Sequence, residues 1–355
     1  MLIPIALKLA AIIASILGIS FIVIFHEFGH YIFCKIFNVY TPTFSIGIGK
    51  ILYSKKIGDT NFCISAGPIG GYVEVASEEG INGSLGFNQI SYVKKVLIML
   101  GGILFNFLLT YIVLVTLLCT KMPENATGYY EPCTTTIAEL PKNSINAQSL
   151  QKGDTLLSVN HEQIHNNLSL ARKIIVQNYQ KESQLPAEIL RNGENINIFL
   201  KVQGSKVSPA ISSQLNVSFE LKPALSIQNA LKVAYFSVIF YTNAIIDGLK
   251  KIFHSKTTQG FVGPLMAIAA SSKSAEKGIN SLLFFLAIIS INLGFMNLLP
   301  LPIFDGGQFV IFTIETIIKR QLSERIRHWI GISSWILAIG LLVLFTIKDL
   351  IHLIF

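Results

Sequence analysis

The sequence carries His26-Glu-Phe-Gly-His30, residue types and a spacing that suit hydrolysis at a metal ion. On an α-helix, positions i and i+4 lie on one face, so both imidazoles can hold one zinc. Glu27 then stands beside the metal, where it can take a proton from water that zinc has acidified to a pKa of about 7. The competing reading is a pair of core histidines next to a buried glutamate. It fits poorly, because these residues end an apolar run and ionisable groups in lipid cost on the order of a few kcal/mol each. His161-Glu-Gln-Ile-His165 matches the same pattern. It follows Thr155-Leu-Leu-Ser-Val159, a strand-like run, and the turn residue Asn160. A loop there keeps its histidines off a common face, so the metal is expected at 26–30.

Catalytic zinc usually has three protein ligands and a water. The aspartates are Asp59, Asp154, Asp247, Asp305 and Asp349, and only Asp305 ends a long apolar run, within Asn297-Leu-Leu-Pro-Leu-Pro-Ile-Phe-Asp-Gly-Gly307. Pro300 and Pro302 should break a helix here, and Gly306-Gly307 permit a tight turn. Irregular backbone at membrane depth is tolerated where it lines a cavity or is buried in protein. The simpler alternative is a helix end with a capping aspartate. Asn106, Asn292 and Asn297 are further polar groups in apolar runs. Each can simply bond a neighbouring helix. Asn297, two turns before Asp305, is the candidate for holding substrate backbone or an oxyanion.

The elements that must position these groups are membrane helices. Of 355 residues, 51% are hydrophobic and 14% charged, against about 25% charged in soluble domains. Disordered chains and disulfide scaffolds are excluded. Four uncharged stretches are long enough to span: Leu9 to Phe25, Val96 to Thr120, Gly278 to Phe304 and Trp329 to Ile347. The first has no small-x-small cleavage site after its apolar core and reads as a retained helix. Val233 to Ile246 is shorter and reads as interfacial. The net charge of +8 arises mainly from residues flanking apolar runs, so no nucleic-acid partner is expected. Lys35, Lys50, Lys55, Lys56, Lys94 and Lys95 mark one cytoplasmic loop; Lys319, Arg320, Arg325 and Arg327 mark another. Four spans then place both termini and the segment from 121 to 277 on the opposite side. They bring His26 and Asp305 to the cytoplasmic side at similar depth, whereas a span at 233–246 would separate them.

The expected fold is thus a polytopic α-helical membrane protein of four transmembrane helices, an inserted α/β domain and a membrane-associated β-hairpin. Its divisions are a membrane core over 1–121, an extracytoplasmic domain over 122–225, an interfacial helical linker over 226–277 and a second membrane core over 278–355. In the inserted domain, Leu168 to Val176 has helical spacing after Asn167, and Asn192-Gly193 joins two strands as a hairpin. Phe62-Cys-Ile-Ser65 and Tyr72-Val-Glu-Val75 flank a glycine-rich turn and read as the other hairpin. Cys119 and Cys133 could be bridged in an oxidising compartment, which the sequence leaves open.

The paired motifs resemble those of the site-2 protease family of intramembrane zinc metalloproteases, with HExxH in the first span and NxxPxPxLDGG in a later one. The closer likeness is to the bacterial branch called regulator of sigma-E protease. It extends to Phe44-Ser-Ile-Gly-Ile-Gly49, Ala66-Gly-Pro-Ile-Gly-Gly-Tyr72, Gly101-Gly-Ile-Leu-Phe-Asn106 and Gly263-Pro264. The resemblance implies that His26, His30 and Asp305 bind one Zn2+ and that Glu27 is the catalytic base. It implies single-span membrane proteins as substrates, such as anti-sigma factors or remnant signal peptides, and a bacterial inner-membrane location. Gly153-Asp154 followed by Leu156 to Asn160 resembles a PDZ domain, which implies a peptide or C-terminus as its ligand. Phe304 replaces the leucine of the family's LDG, and one PDZ-like domain stands where some relatives carry two.

Three rivals remain: a zinc transporter, a membrane-anchored PDZ scaffold with a dead site, and a zinc protease centred on His161 and His165. The first discriminating measurement is zinc per chain in purified variants. His26→Ala should lose the metal and His161→Ala should keep it; the reverse result would move the chemistry to the inserted domain.

Overall fold

The computed structural model describes the chain except residues 1, 79, 125, 127, 142, 179–183, 203–214, 256–263, 321 and 355. Gly263 of the Gly263-Pro264 pair therefore lies outside the described residues. The chain forms two compact units, one of residues 1–116 and 238–355, the other of 117–237.

In the first unit, α1 (Leu2–Ile36) leads into two long strands, β1 (Thr43–Ile57) and β2 (Thr60–Glu74), and then α2 (Tyr92–Cys119). The strands make a more elaborate sheet than one hairpin. Residues 51–57 pair back on 60–65 around the Gly58-Asp59 turn, while residues 43–46 pair with both 61–64 and 71–74. The expected hairpin between 62–65 and 72–75 is therefore corrected: those segments flank 43–46 on opposite sides. Gly47 makes the folding-back possible. Its φ is +85°, a region that side chains disfavour, and a Cβ would meet the Gly67 carbonyl. The sheet lies against α1, with the Ser20 hydroxyl donating to the Pro68 carbonyl at 2.6 Å.

The remaining helices are α4 (Ile227–Ser255), α5 (Pro264–Glu276), α6 (Ile279–Asn297), α7 (Asp305–Ile318) and α8 (Glu324–Ile354), with α3 in the second unit. Five described helices are long and apolar enough to cross a membrane: α1, α2, α4, α6 and α8. The count of four is not matched, because Val233 to Ile246 is only the uncharged middle of a 29-residue helix. Lys232, Asp247 and Lys250 lie within that helix rather than ending it. The third apolar run also differs from expectation. It stops as helix at Asn297, and Asp305 opens a separate helix instead of closing the span. Pro300 and Pro302 occupy the break, as their missing N–H and fixed φ require.

Small and hydroxylated residues join these helices. A Cβ at Gly18 would strike Leu286 of α6, and one at Gly294 would come within 3.1 Å of Asn106 of α2. Close backbone approach replaces the missing hydrophobic drive between helices in lipid. Thr110 donates to the Ala287 carbonyl and Ser290 to the Asn106 carbonyl, both at 3.0 Å.

The second unit carries an antiparallel sheet in the order β7-β6-β4-β3-β8, with β5 on β4. The strands are β3 (Cys133–Glu139), β4 (Thr155–Val159), β5 (Glu162–Gln163), β6 (Gln184–Arg191), β7 (Glu194–Lys201) and β8 (Ser218–Leu221). Helix α3 (Leu168–Asn178) packs Leu168, Ala171, Ile174 and Ile175 into the same core as Leu156, Val159, Ile189 and Leu200. The Asn167 side chain caps it by accepting from the Leu170 N–H at 3.0 Å. Arg191↔Glu194 closes β6 on β7 across Asn192-Gly193, both at positive φ as a type I′ turn demands. All four cysteines are free thiols, so the chain carries no Cys119–Cys133 bridge. Burial pushes the Cys133 thiol up to about 12, which keeps it protonated and unreactive.

Asp154 anchors this unit. It is 1% exposed, receives both Nε (2.8 Å) and Nη2 (2.7 Å) of Arg191, and accepts from the Gln151 N–H at 2.7 Å. Removing one partner of such a pair strands the other charge and costs about 3 kcal/mol. Asp154→Asn should therefore speed amide exchange in β4 and β6 on the order of 100-fold in the full chain. Exchange at wild-type rate would show that the pair adds no stability.

Candidate metal centre

His26 and His30 sit one turn apart on α1 and are both buried. Their rings meet edge to face, with centroids 4.8 Å apart. Their Nε2 atoms are 3.2 Å apart. Oδ2 of Asp305, from the first turn of α7, lies 3.2 Å from His26 Nε2 and 3.4 Å from His30 Nε2. Among the described residues this is the group of His, Cys, Asp or Glu side chains that could hold a metal.

These three atoms suit a zinc ion. Zinc with nitrogen and oxygen ligands at about 2.05 Å has tetrahedral ligand–ligand edges of about 3.3 Å. The Asp305 Oδ2 is buried without a hydrogen-bond partner, the condition of an atom whose partner is a cation. The His30 Nδ1 is 2.8 Å from the Ile98 carbonyl, which can only accept, so Nδ1 carries the proton and the Nε2 lone pair faces the cluster. His26 Nδ1 is 3.0 Å from the Asn106 amide. Ligation through Nε2 requires the amide oxygen to face Nδ1 and accept its proton.

Glu27 follows His26 on α1 and faces β2. A Cβ at Gly71 would lie 3.8 Å from its Cγ, and the Val73 backbone is beside its carboxylate. Asn297, the last residue of α6, reaches His26 Nε2 with its amide nitrogen at 3.3 Å. The sequence-derived residues His26, Glu27, His30, Asn297 and Asp305 are therefore brought to one place by α1, α6 and α7.

Local backbone explains how. The Gly306 Cβ would overlap the Leu298 carbonyl and the Gly307 Cβ the Leu301 carbonyl, so the segment between α6 and α7 folds tightly on itself. On α2, a Cβ at Gly102 would lie 2.5 Å from His30 Nε2 and 2.6 Å from His26 Cε1. Sequence reasoning assigned Asn106 only to helix packing and gave Gly102 no role. Their i, i+4 spacing, which puts both on the face carrying the Ile98 carbonyl, was the available signal.

The second histidine pair is elsewhere and differently built. His161 and His165 have φ of 66° and 46°, and Glu162–Gln163 is a two-residue strand. Left-handed backbone at both ends removes any shared helical face.

Residues 14–343 match peptidase family M50. Relatives bearing the name "Putative zinc metalloprotease" align along almost the whole chain. One from Clostridium perfringens is 27% identical over 96% of this chain and 98% of its own length. One from Campylobacter jejuni is 26% identical over 96% and 94%, and one from Helicobacter pylori is 29% identical over 93% and 95%. The chain belongs to peptidase family M50, the site-2 proteases, and is a multi-pass membrane metalloprotease that hydrolyses peptide bonds with zinc as cofactor.

Proposed function

We propose that His26, His30 and Asp305 hold the catalytic zinc and that Glu27 is the general base for cleaving single-span membrane proteins inside the bilayer. The observation that carries this is the convergence of His26 Nε2, His30 Nε2 and Asp305 Oδ2 at 3.2–3.4 Å beside Glu27. Bound zinc supplies Lewis acidity and acidifies a water. Glu27 takes the proton from the attacking water and returns it to the leaving amide nitrogen. Asn297 holds the substrate backbone or the developing oxyanion beside His26. Apolar helix walls keep bulk water from the reacting groups and strengthen these polar contacts.

A helical peptide bond is shielded by its own turn, so the substrate must locally unwind. Segment 71–74, which pairs with 43–46 on one side only, offers a strand edge next to Glu27 for an extended chain. The 117–237 unit is read as one PDZ-like domain that takes a peptide or C-terminus and acts as a filter or sensor. The assignment to the regulator of sigma-E protease branch follows from the motifs, and with it anti-sigma factors or remnant signal peptides as substrates in a bacterial inner membrane. A zinc transporter or an inactive scaffold would have no use for Glu27 between the ligands.

A four-span topology would put all three ligands on one side. In that arrangement α4, with Lys232, Asp247 and Lys250 along its length, lies along the interface rather than spanning. Both termini and the PDZ-like unit are extracytoplasmic, and the metal lies near the cytoplasmic side. The basic residues of the 319–327 loop favour this arrangement.

Glu27→Gln should retain zinc and lose cleavage of a verified substrate by at least about 100-fold, the scale of general acid–base catalysis. Cleavage at the wild-type rate would remove Glu27 from the mechanism. For topology, Lys152→Cys should react with an impermeant maleimide in intact cells, and Arg325→Cys only after permeabilisation. Reaction of both in intact cells would mean that α4 spans.

A further inference from the structure

A cleft of about 340 Å³ opens between the start of α2 and the end of α7, away from the metal centre. Its polar lining is Tyr92, Lys95, Lys319, Arg320 and Glu315, and its apolar walls include Ile90 and Phe312. Glu315 is already engaged. It accepts from Arg327 Nη2 at 2.5 Å and Nε at 3.1 Å, and from the Leu322 N–H at 2.8 Å. Among the described residues, no carboxylate stands at ion-pair distance from Lys95, Lys319 or Arg320. Three cations thus surround a cleft whose one acid is neutralised by a fourth.

The backbone holds one of these cations, Lys319, in place against its own preference. Lys319 ends α7 in left-handed conformation, φ 53° and ψ 28°, where glycine is the usual residue. That turn directs the chain back so that Lys319 and Arg320 both line the cleft. Lys95 is half-buried and fixed over the rings of Phe87 and Phe312, at 5.5 and 5.8 Å from their centroids. The Tyr92 hydroxyl shares a hydrogen bond with Thr313 at 2.9 Å, tying the two helices across the cleft.

The surroundings point to the kind of anion. Beside the cleft, α7 exposes Ile314, Ile317 and Ile318, with Ile317 at 73%, and α2 exposes Val93. These helices belong to the membrane unit and these ends carry its basic loops. A charged cleft that borders exposed isoleucines suits an amphiphile, with its phosphate among the cations and its chains along α7.

We propose that this cleft binds the phosphate headgroup of an anionic phospholipid. Because α7 has Asp305 at one end and Lys319 just past the other, the bound lipid braces the helix that carries a metal ligand.

The full-length protein in detergent would be equilibrated with phosphatidylglycerol and phosphatidylcholine, repurified, and its retained lipid measured by mass spectrometry. The wild type should retain phosphatidylglycerol preferentially. A cation near an anionic lipid contributes about fivefold, so Lys95→Gln/Lys319→Gln/Arg320→Gln together should weaken retention on the order of 100-fold. Lys50→Gln/Lys55→Gln/Lys56→Gln, equal in charge loss but on β1, should retain lipid as the wild type does. Lys319→Gly removes one cation while easing the left-handed turn, so it should fold and still bind about fivefold more weakly. Equal losses from both triple variants would reduce the effect to net charge and overturn the proposal. Unchanged retention in Lys319→Gly and the cleft triple variant would overturn it too. Displacement of the lipid by millimolar inorganic phosphate would make a soluble phosphate the occupant instead.

Discussion

The metal centre depends on how closely two helix backbones can approach. Gly29 of α1 faces Gly101 and Gly102 of α2 so tightly that a Cβ on any of the three would collide with the other helix. Lipid offers no hydrophobic gain for bringing helices together, so shape and hydrogen bonding must do it. The glycines let α2 reach the histidine rings with its own backbone. The Ile98 carbonyl fixes the proton on His30, and Asn106 meets His26. Two ionisable groups in an apolar bundle are thereby given directed partners, which is the condition for burying them at tolerable cost.

The aspartate arrives by a different route. An uninterrupted helix through 279–318 would carry Asp305 past the histidines as one face among many. The prolines end α6 at Asn297, and Gly306 and Gly307 let the next helix start against the preceding turn. Asp305 then projects from the first turn of α7, and Asn297 from the last turn of α6, toward the same nitrogen of His26. One local break supplies both a carboxylate and an amide to the candidate metal centre.

Much of this was legible in the sequence because it depends on short-range rules. The helical spacing of His26 and His30, the proline break before Asp305 and the Asn192-Gly193 hairpin each follow from a few adjacent residues. The loop character of 161–165 followed from the strand and turn residue before it, and the left-handed φ of His161 and His165 bears that out. The features that escaped depend on distant partners. Nothing near Asn106 announces His26, 80 residues away. The pairing of 43–46 with two separate segments cannot be seen from the glycine-rich stretch at 66–72 alone. The length of α4 was underestimated because charges were read as ends, whereas the helix carries Lys232, Asp247 and Lys250 within it.

The contacts of α2 with the histidines recur at Ile98, Gly102 and Asn106, four residues apart, and the histidines themselves are four apart on α1. The two helices are keyed like a rack and its pawl, running in opposite directions. A slip of one turn, about 5.4 Å, would take the Ile98 carbonyl from His30 and the amide from His26 in a single movement. An ion held by His26, His30 and Asp305 would rivet α1 to α7, leaving the register against α2 to these two hydrogen bonds. The bonds that orient the two imidazoles also fix the sliding register of α1 against α2.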